Sequence, residues 1–461
     1  MSANKIGKMN ASSVPASWAG HLAALLAFAL VCFFCVLMGY SLGVPLVLLF
    51  VGAHLHCVKK VSFRRFLHVG FLLTLILFAA FSIDHYTDIS SYYIPVASVS
   101  MLAMLLFNDP ELAFILSFTS SFLVTQVLGG GFGMMSIFFI GGLTGAYAVE
   151  GARTRGHLIA AGLFISAMQL VAAFATHYGH GVFLTHDFAA RMIYPLAWNG
   201  FIATFATAAT LKIFEYLFRT LTNFSLLELS DFNQPLLRRM ILEAPGTYHH
   251  SLVVSNLAEA AANAVGANGL LARVGAYYHD TGKLSKPGYF TENQMVGGNK
   301  HDDIEPSMSR LVILNHVKEG LEIAKKYRLN PIILAFIVQH HGTGLVYYFY
   351  KKALENATLG EAIDEGDFRY PGPKPQTRET AIVSLADSAE AAVRGIEEPN
   401  LSKIEATVKR VINNKFIDGQ LDECPLTLKD INAITDTFIR ILGAMYHSRV
   451  RYPEKKNVHN G

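Results

Sequence analysis

Two long stretches without charged side chains occupy most of the first half of this chain. No Asp, Glu, Lys or Arg occurs between Ser17 and Val58, and another uncharged run separates Glu111 from Glu150. Such segments can lie in a bilayer only if their backbone polar groups are paired internally, as in a helix. From about Arg219 onward the charge density is that of an ordinary soluble domain. The sequence therefore predicts a membrane half followed by a soluble half.

About eight segments of the membrane half approach the length of roughly 20 apolar residues that a helix needs to cross a bilayer. They lie at Trp18–Met38, Val44–Val58, Phe66–Ile83, Tyr93–Phe107, Leu112–Leu128, Phe132–Val149, His157–Thr176 and Met192–Tyr216. Lys and Arg in short loops favour the cytoplasmic side of a membrane. With eight spans, the basic loops at Lys59, Arg64, Arg153 and Arg219 all fall on one side. We therefore expect a multi-pass protein in contact with lipid, with both termini in the cytoplasm.

Composition excludes several other classes of protein. A formal net charge of +3 is too small to indicate binding of a long nucleic acid. Four cysteines are too few for a disulfide framework. Cys32 and Cys35 form a C-x-x-C inside an apolar span, where packing explains them better than redox chemistry or zinc binding does. The residues divide into a tail at 1–16, a transmembrane bundle at 17–217, a junction at 218–245 and a helical soluble domain at 246–461.

Histidines and aspartates recur through the soluble half at the ends and inner faces of predicted helices. His279 and Asp280 end an apolar helix and are followed by Lys283. Alone, such a pair indicates little more than a helix C-terminus capped by Gly282. The candidate ligands, however, are spread over several helices and loops: His249, His250, His279, Asp280, His301, Asp302, Asp303, His316, His340, His341 and Asp387. Helical bundles build two-metal sites from residues placed in this way.

Seven of these candidates follow the order H…HD…H…HH…D: His250, His279, Asp280, His316, His340, His341 and Asp387. They stand in or near longer strings such as YYHDTGK, HDDIEPSMSRLVILNHVKEG, QHHGT and YPGPKPQTRETAIVSLADSAEAAVRGIEE. From about Leu211 to the C-terminus the chain resembles the bacterial seven-transmembrane HD-domain proteins of the PgpH type, in the HD phosphohydrolase superfamily. The resemblance implies an all-α chain, a transmembrane helix bundle followed by a cytoplasmic HD domain, in the bacterial cytoplasmic (inner) membrane. It also implies hydrolysis of the second messenger cyclic di-AMP to the linear dinucleotide. In that family pattern Asp280 bridges two metals; His250, His279 and Asp387 complete one, and His316, His340 and His341 the other.

The donor set itself predicts the kind of metal. Imidazoles and carboxylates without a nearby thiolate suit two divalent ions such as manganese or iron better than zinc or magnesium. Two ions can activate a water for attack on a phosphodiester, so that no Ser or Cys nucleophile is needed. Asp280 is then a catalytic residue as well as a ligand. Lys283 would neutralise the charge that builds on the phosphate in the transition state.

Six further residues are candidates for gripping the nucleotide, each with a structural alternative. For His301 and Asp302 loop capping competes evenly with phosphate contact. The others lie in or after a Gly/Pro-rich loop that solvation explains equally well: Arg369, Tyr370, Lys374 and Arg394. Two other functions stay open, hydrolysis of a different nucleotide or RNA, and a receptor or scaffold without catalysis. The sequence also leaves open whether the chain forms a homo-oligomer.

One departure from the family pattern concerns the membrane half. Members of the family usually carry a large extracytoplasmic domain between the first span and the remaining seven. Here only about five residues, Gly39 to Gly43, separate the first two predicted spans. The departure puts a sensory role in doubt and leaves the predicted hydrolase untouched.

Overall fold

The computed structural model describes residues 43–59, 61–177, 185–294, 300–302, 304–357 and 362–446. These residues are nearly all helical, and within them the only strand-like pairing is one isolated bridge between Leu345 and Arg369. The prediction of an all-α chain is confirmed. The chain divides into two compact units, Met1–Thr220 and Leu221–Gly461. The predicted tail at 1–16 and the predicted span Trp18–Met38 lie outside the described residues.

Seven apolar helices make up the described part of the first unit. They are α1 (Gly43–Ala53, continued by a π turn His54–Val58), α2 (Phe63–Tyr86), α3 (Ala97–Phe107), α4 (Pro110–Val127), α5 (Phe132–Ala148), α6 (Arg155–His177) and α7 (Tyr194–Phe218). Each coincides with one of the segments predicted from Val44 onward. Helix boundaries follow local signals: Asp109 caps α4 by accepting a bond from the Leu112 amide, and Pro110 occupies its first turn.

Four of these helices are long and apolar enough to cross a membrane: α2, α4, α6, and α7 together with the short helical segments that precede it from His186. The other three are shorter apolar helices, at Gly43–Val58, Ser91–Phe107 and Phe132–Ala148. The outward surfaces of the long helices α2 and α7 carry large apolar side chains such as Phe78, Phe205 and Tyr216, each more than two-thirds exposed. These features are those of a membrane protein, and the number of crossings stays a prediction.

Small residues let the helices of this unit pack at close range. A β-carbon on Gly141 of α5 would overlap the side chain of Gln169 on α6, and one on Gly200 of α7 would overlap the carbonyl oxygen of Gly162. Close approach of this kind is the main source of helix association where lipid surrounds the bundle.

Loops meet at two separate ends of the first unit. At one end Lys59, after α1, forms an ion pair of 2.6 Å with Asp109, which lies between α3 and α4. At the other end Ser90, between α2 and α3, donates a hydrogen bond to the carbonyl oxygen of Arg191, which precedes α7. The connections therefore alternate between ends, as in a bundle whose helices run up and down.

The second unit consists of ten described α-helices, joined by loops and short 3₁₀ turns. They are α8 (Asn223–Leu229), α9 (Pro235–Glu243), α10 (Pro245–Ala264), α11 (Gly269–Tyr278), α12 (Pro306–Lys326), α13 (Pro331–Gln339), α14 (Tyr347–Asn356), α15 (Arg378–Arg394), α16 (Leu401–Ile417) and α17 (Leu428–Met445). Proline stands in the first turn of four of them, where its missing N–H costs nothing. At α15 a capping box joins Thr377 and Thr380.

The core of this unit lies between α10, α11, α15, α16 and α17. Small residues of α15, among them Ala381, Ala386 and Ala389, are fully buried, so that neighbouring helices approach its backbone closely. Phe438 of α17 and Leu257 of α10 fill the same core. Because α10 and α15 are held this tightly, polar side chains at their inner faces have fixed positions.

Candidate two-metal centre

Seven His and Asp side chains from five segments converge in the second unit. They fall into two groups, Asp280 with His316, His340 and His341, and Asp280 with His250, His279 and Asp387. Within each group one ligand atom per residue lies within 4.8 Å of the others. His250 comes from α10, the pair 279–280 follows α11, His316 lies within α12, the pair 340–341 follows α13, and Asp387 lies on α15. Helix ends thus supply four of the seven side chains.

Asp280 belongs to both groups because its two oxygens face different histidines. Its Oδ1 lies 3.5 Å from Nε2 of His316 and 3.5 Å from Nε2 of His340. Its Oδ2 lies 3.3 Å from Nε2 of His279 and 3.6 Å from Nε2 of His250. A carboxylate placed in this way can bind one cation with each oxygen.

Asp387 closes the arrangement on the opposite side. Its Oδ1 lies 3.1 Å from Nε2 of His250, and its Oδ2 lies 3.6 Å from Nδ1 of His341. His341 also stacks on the ring of Tyr370, with ring centroids 4.2 Å apart. The two groups therefore form one continuous polar cluster.

Hydrogen bonds behind the cluster fix which ring nitrogen each histidine presents. Three imidazoles use Nδ1 to bond a carbonyl oxygen about one turn back: His279 to Ala276 (2.7 Å), His316 to Ile313 (2.5 Å) and His340 to Ile337 (2.8 Å). Nδ1 of His250 instead lies 2.5 Å from a carboxylate oxygen of Glu390. In all four rings the remaining nitrogen, Nε2, points into the cluster as a ligand atom would.

The burial of these groups shows that a cation fits the cluster. Among the described residues, Nε2 of His279 and Oδ1 of Asp280 are buried without a hydrogen-bond partner. Buried polar atoms are almost always paired, because leaving one unpaired costs about 1–3 kcal/mol. Metal ions coordinated by these atoms would satisfy all of them at once.

The pKa shifts of the clustered histidines go in two directions. Burial lowers the pKa of His316 to about 4 and holds that of His341 well below its usual range, so both are neutral, as ligands must be. Burial also disfavours the charged form of His279, but Asp280 and Asp387 outweigh it and raise its pKa to about 10. Its Nε2 therefore favours a proton or, equally, a metal ion.

Lys283 is tied to two carboxylates rather than left free. Its Nζ lies 2.6 Å from Oδ2 of Asp280 and 2.8 Å from a carboxylate oxygen of Glu292, and all three side chains are largely buried. Burial works against the charged ammonium, but the two acids raise the pKa of Lys283 above its ordinary value. In this arrangement Lys283 holds Asp280 in place.

Comparison with protein families assigns both units. A family described as a 7TM receptor with intracellular HD hydrolase matches residues 34–222, and the HD domain family matches residues 247–392. The first unit is thus similar to the membrane region of these receptors, and the second unit contains an HD domain. The HD match spans all seven clustered residues, including the pair His279 and Asp280 that gives the domain its name, and Asp387 lies five residues before its end.

Two relatives of this chain carry the name cyclic-di-AMP phosphodiesterase PgpH. The one from Bacillus subtilis is 40% identical over 79% of this chain and 51% of its own length. The one from Listeria monocytogenes is 47% identical over 56% of this chain and 36% of its own length. The chain thus spans about half the length, or less, of these relatives. A crystal structure of the L. monocytogenes PgpH HD domain in complex with cyclic-di-AMP is 48% identical, covering 47% of this chain and 100% of that one, with a TM-score of 0.45.

The six residues of this chain predicted to contact the nucleotide lie in different surroundings. Arg369 and Tyr370 line a cavity next to the cluster. Asp302 is exposed and pairs with Lys352, while His301 is buried beside the ring of Phe349. The remaining two cations, Lys374 and Arg394, pair with Asp422 and Glu390.

The cavity has a volume of about 490 Å³ and opens beside His341. Its wall combines rings and polar groups from the segment after α13, from α14, from the segment before α15 and from α16: His341, Tyr347, Arg369, Tyr370, Asn414 and Lys415. Tyr347 is 65% exposed. A nucleotide whose phosphate reached the cluster would have room here for its remaining parts.

Three residues of the site escape motif-based reasoning. Glu390 and Glu292 support His250 and Lys283, and Lys415 lines the cavity. Only Glu390 carries a usable signal, because it stands three residues after Asp387 and so shares its face of α15. His249, beside the ligand candidate His250, is exposed and points away from the buried face that His250 occupies.

Proposed function

We propose that this chain is a membrane-anchored, metal-dependent phosphodiesterase that hydrolyses a cyclic dinucleotide, cyclic-di-AMP, to the linear dinucleotide. The observation that carries the proposal is Asp280, whose two oxygens face separate groups of histidines in a buried cluster. A bridging carboxylate between two cation sites is an arrangement suited to phosphoryl chemistry. The choice of substrate is supported by the names of the two PgpH relatives.

We propose two divalent ions, manganese or iron, held by the seven clustered side chains. When bound, such a pair supplies a nucleophile from water at neutral pH and neutralises charge on the phosphate oxygens. The chain's own residues orient this chemistry. Asp280 fixes the spacing of the two groups, Glu390 holds the ring of His250, and Lys283 compensates the negative charge of Asp280.

The membrane arrangement is also a proposal. Residues 17–217 form the transmembrane bundle, 218–245 the junction and 246–461 the HD domain, with the N-terminus and the HD domain in the cytoplasm of a bacterial inner membrane. Alternation of the loops between two ends of the first unit supports it, because Lys59 and Asp109 meet at one end and Ser90 and Arg191 at the other.

The test uses the full chain purified in detergent and supplied with Mn²⁺. It is incubated with cyclic-di-AMP, a second cyclic dinucleotide, linear dinucleotides and a short RNA, and the products are separated by chromatography. Ring opening of a cyclic dinucleotide to the linear form is the expected result. Preferred cleavage of RNA or of mononucleotides would replace the proposed substrate, and absence of all turnover would favour a receptor or scaffold.

Asp280→Ala is the variant that tests the bridging role. Because both groups lose a ligand atom, we expect turnover to fall below detection and the metal content to drop by at least one ion per chain. Metal content is measured by plasma mass spectrometry after gel filtration. Membrane insertion should be unchanged, and retained turnover would refute the bridge.

A further inference from the structure

The cations around the site differ in whether an acid already neutralises them. Arg369 makes bonds of 2.9 and 3.1 Å to the two carboxylate oxygens of Asp418 and a further pair with Glu365. Lys283 is held by Asp280 and Glu292. Each of these side chains has anions of its own, so neither offers a free charge to a phosphate.

Lys415 is the exception at this site. It lies in the last turn of α16, is partly buried and lines the cavity. Among the described residues it forms no ion pair within 4.0 Å, and its nearest polar partner is the hydroxyl of Ser384 at 3.5 Å. Asp387 and Asp418 act on it only at longer range, and burial lowers its pKa despite them. An ammonium group without a counterion thus faces a cavity.

The position of Lys415 relative to the metal cluster follows from α15. Ser384, which Lys415 contacts, precedes the cluster residue Asp387 by three positions on that helix. Three residues correspond to a rise of about 4.5 Å along a helix. The ammonium therefore contacts a side chain that lies about one helical turn from Asp387, and it lines the cavity beside the cluster.

We propose that Lys415 binds the second phosphodiester of the cyclic dinucleotide, the one that is not cleaved. The inference rests on the proposed function and extends it. A cyclic dinucleotide carries two phosphodiesters in one ring, so that when one reaches the metal cluster the other must lie nearby. A cation without an ion-pair partner that lines the same cavity as His341 is placed to receive it. Lys415 is thereby a specificity determinant, because a substrate with a single phosphodiester gains nothing from it.

The experiment compares Lys415→Met with the wild-type chain, purified in full in detergent with Mn²⁺, on two substrates. Cyclic-di-AMP has two phosphodiesters, and bis(4-nitrophenyl) phosphate has one. Loss of a charge-assisted bond should raise KM for cyclic-di-AMP by about 10-fold to 100-fold. The kcat for cyclic-di-AMP and both constants for the small diester should stay within about twofold of wild type, because the metal cluster is unchanged.

Two further variants serve as controls. Lys415→Arg keeps the charge, so its KM for cyclic-di-AMP should be close to that of the wild type. Lys409→Met removes a lysine from the same helix that is exposed and paired with Glu405 at 2.6 Å, and it should behave as wild type on both substrates.

The outcomes separate this inference from the proposed function. Equal KM values for cyclic-di-AMP in Lys415→Met and wild type overturn the role of Lys415 and leave the proposed function standing. An equal rise in KM for both substrates has the same meaning. A wild-type chain that cleaves neither substrate contradicts the proposed function. In that case equilibrium binding of cyclic-di-AMP to wild type and Lys415→Met still decides the inference, since equal affinity or no binding rejects it.

Discussion

At the scale of single residues, the site combines an unusual density of buried acids with few permanent cations. Asp280, Asp387, Glu292 and Glu390 are all nearly inaccessible to solvent. Lys283 is the one lysine in direct contact with Asp280 among the described residues. Removing one partner of a buried ion pair leaves an uncompensated charge, which is far more costly than removing both.

Lys283→Met should therefore destabilise the metal-free chain by about 3–5 kcal/mol, since Asp280 and Glu292 are left facing each other. The double variant Lys283→Met with Glu292→Gln should recover part of the loss because one of the two acids is neutralised. Urea unfolding followed by circular dichroism measures both. A double variant no more stable than the single one would contradict the pairing.

Glu390→Gln tests whether a carboxylate outside the cluster holds the ring of His250 in place. The carboxylate lies 2.5 Å from Nδ1 of His250, and neutralising it should reduce the basicity of the ring and loosen its orientation. We expect metal affinity in the group that contains His250 to fall by about 10-fold to 100-fold. Competition with a chromogenic chelator measures it. Glu405→Gln, an exposed change on α16, is the control, and equal affinities in the two variants would count against the role of Glu390.

At the scale of elements, the turn after Asp280 touches the backbone of α12 directly. A β-carbon on Gly282 would overlap the carbonyl oxygen of His316 and crowd the amide of Gly320. Asp280 and His316 of the cluster are thus brought together because a glycine at position 282 allows two backbone segments to make direct contact.

Gly282→Ala should force the turn away from α12 and separate these ligands. Overpacking of this kind costs about 1–3 kcal/mol, and we expect lower thermal stability together with loss of bound metal. The control is Gly395→Ala, where the nearest atom to an added β-carbon is 3.6 Å away. Metal content and melting temperature equal to those of the control would show that the contact is not required.

Much of the architecture could be predicted because its causes are local in the sequence. Uncharged apolar runs predicted the helices from Val44 onward. His and Asp residues at helix ends and inner faces gave the candidate ligands, and the resemblance to the HD-domain proteins selected the seven that form the cluster. The nucleotide contacts could not be ranked in the same way. Whether Arg369 or Lys415 is free depends on where Asp418 lies in space, and no periodicity in the sequence reports that pairing.

At the scale of the whole molecule, the two units differ in which side chains they expose and which they bury. The first exposes large apolar side chains such as Phe132 and Trp198, and the second carries the buried polar cluster. Lysines and arginines of the first unit concentrate in alternate loops, which predicts the side of the membrane on which each loop lies.

Cysteine labelling tests this topology in a variant whose four native cysteines are replaced by serine. Asp88→Cys, after α2, should react with a membrane-impermeant maleimide in intact cells. Arg153→Cys, between α5 and α6, should react only after lysis, because its loop is expected in the cytoplasm. Labelling of both positions in intact cells, or the reverse pattern, would rule out the proposed orientation.

The shared position of Asp280 has a consequence for how a newly made chain matures. The group of Asp280, His316, His340 and His341 is complete once the ribosome has added residue 341, whereas the other group waits for Asp387 on α15. We expect the first ion to be captured early and to act as a clamp around which the later helices dock. A cell short of metal would then accumulate unfinished, protease-sensitive chains rather than stable but idle enzyme.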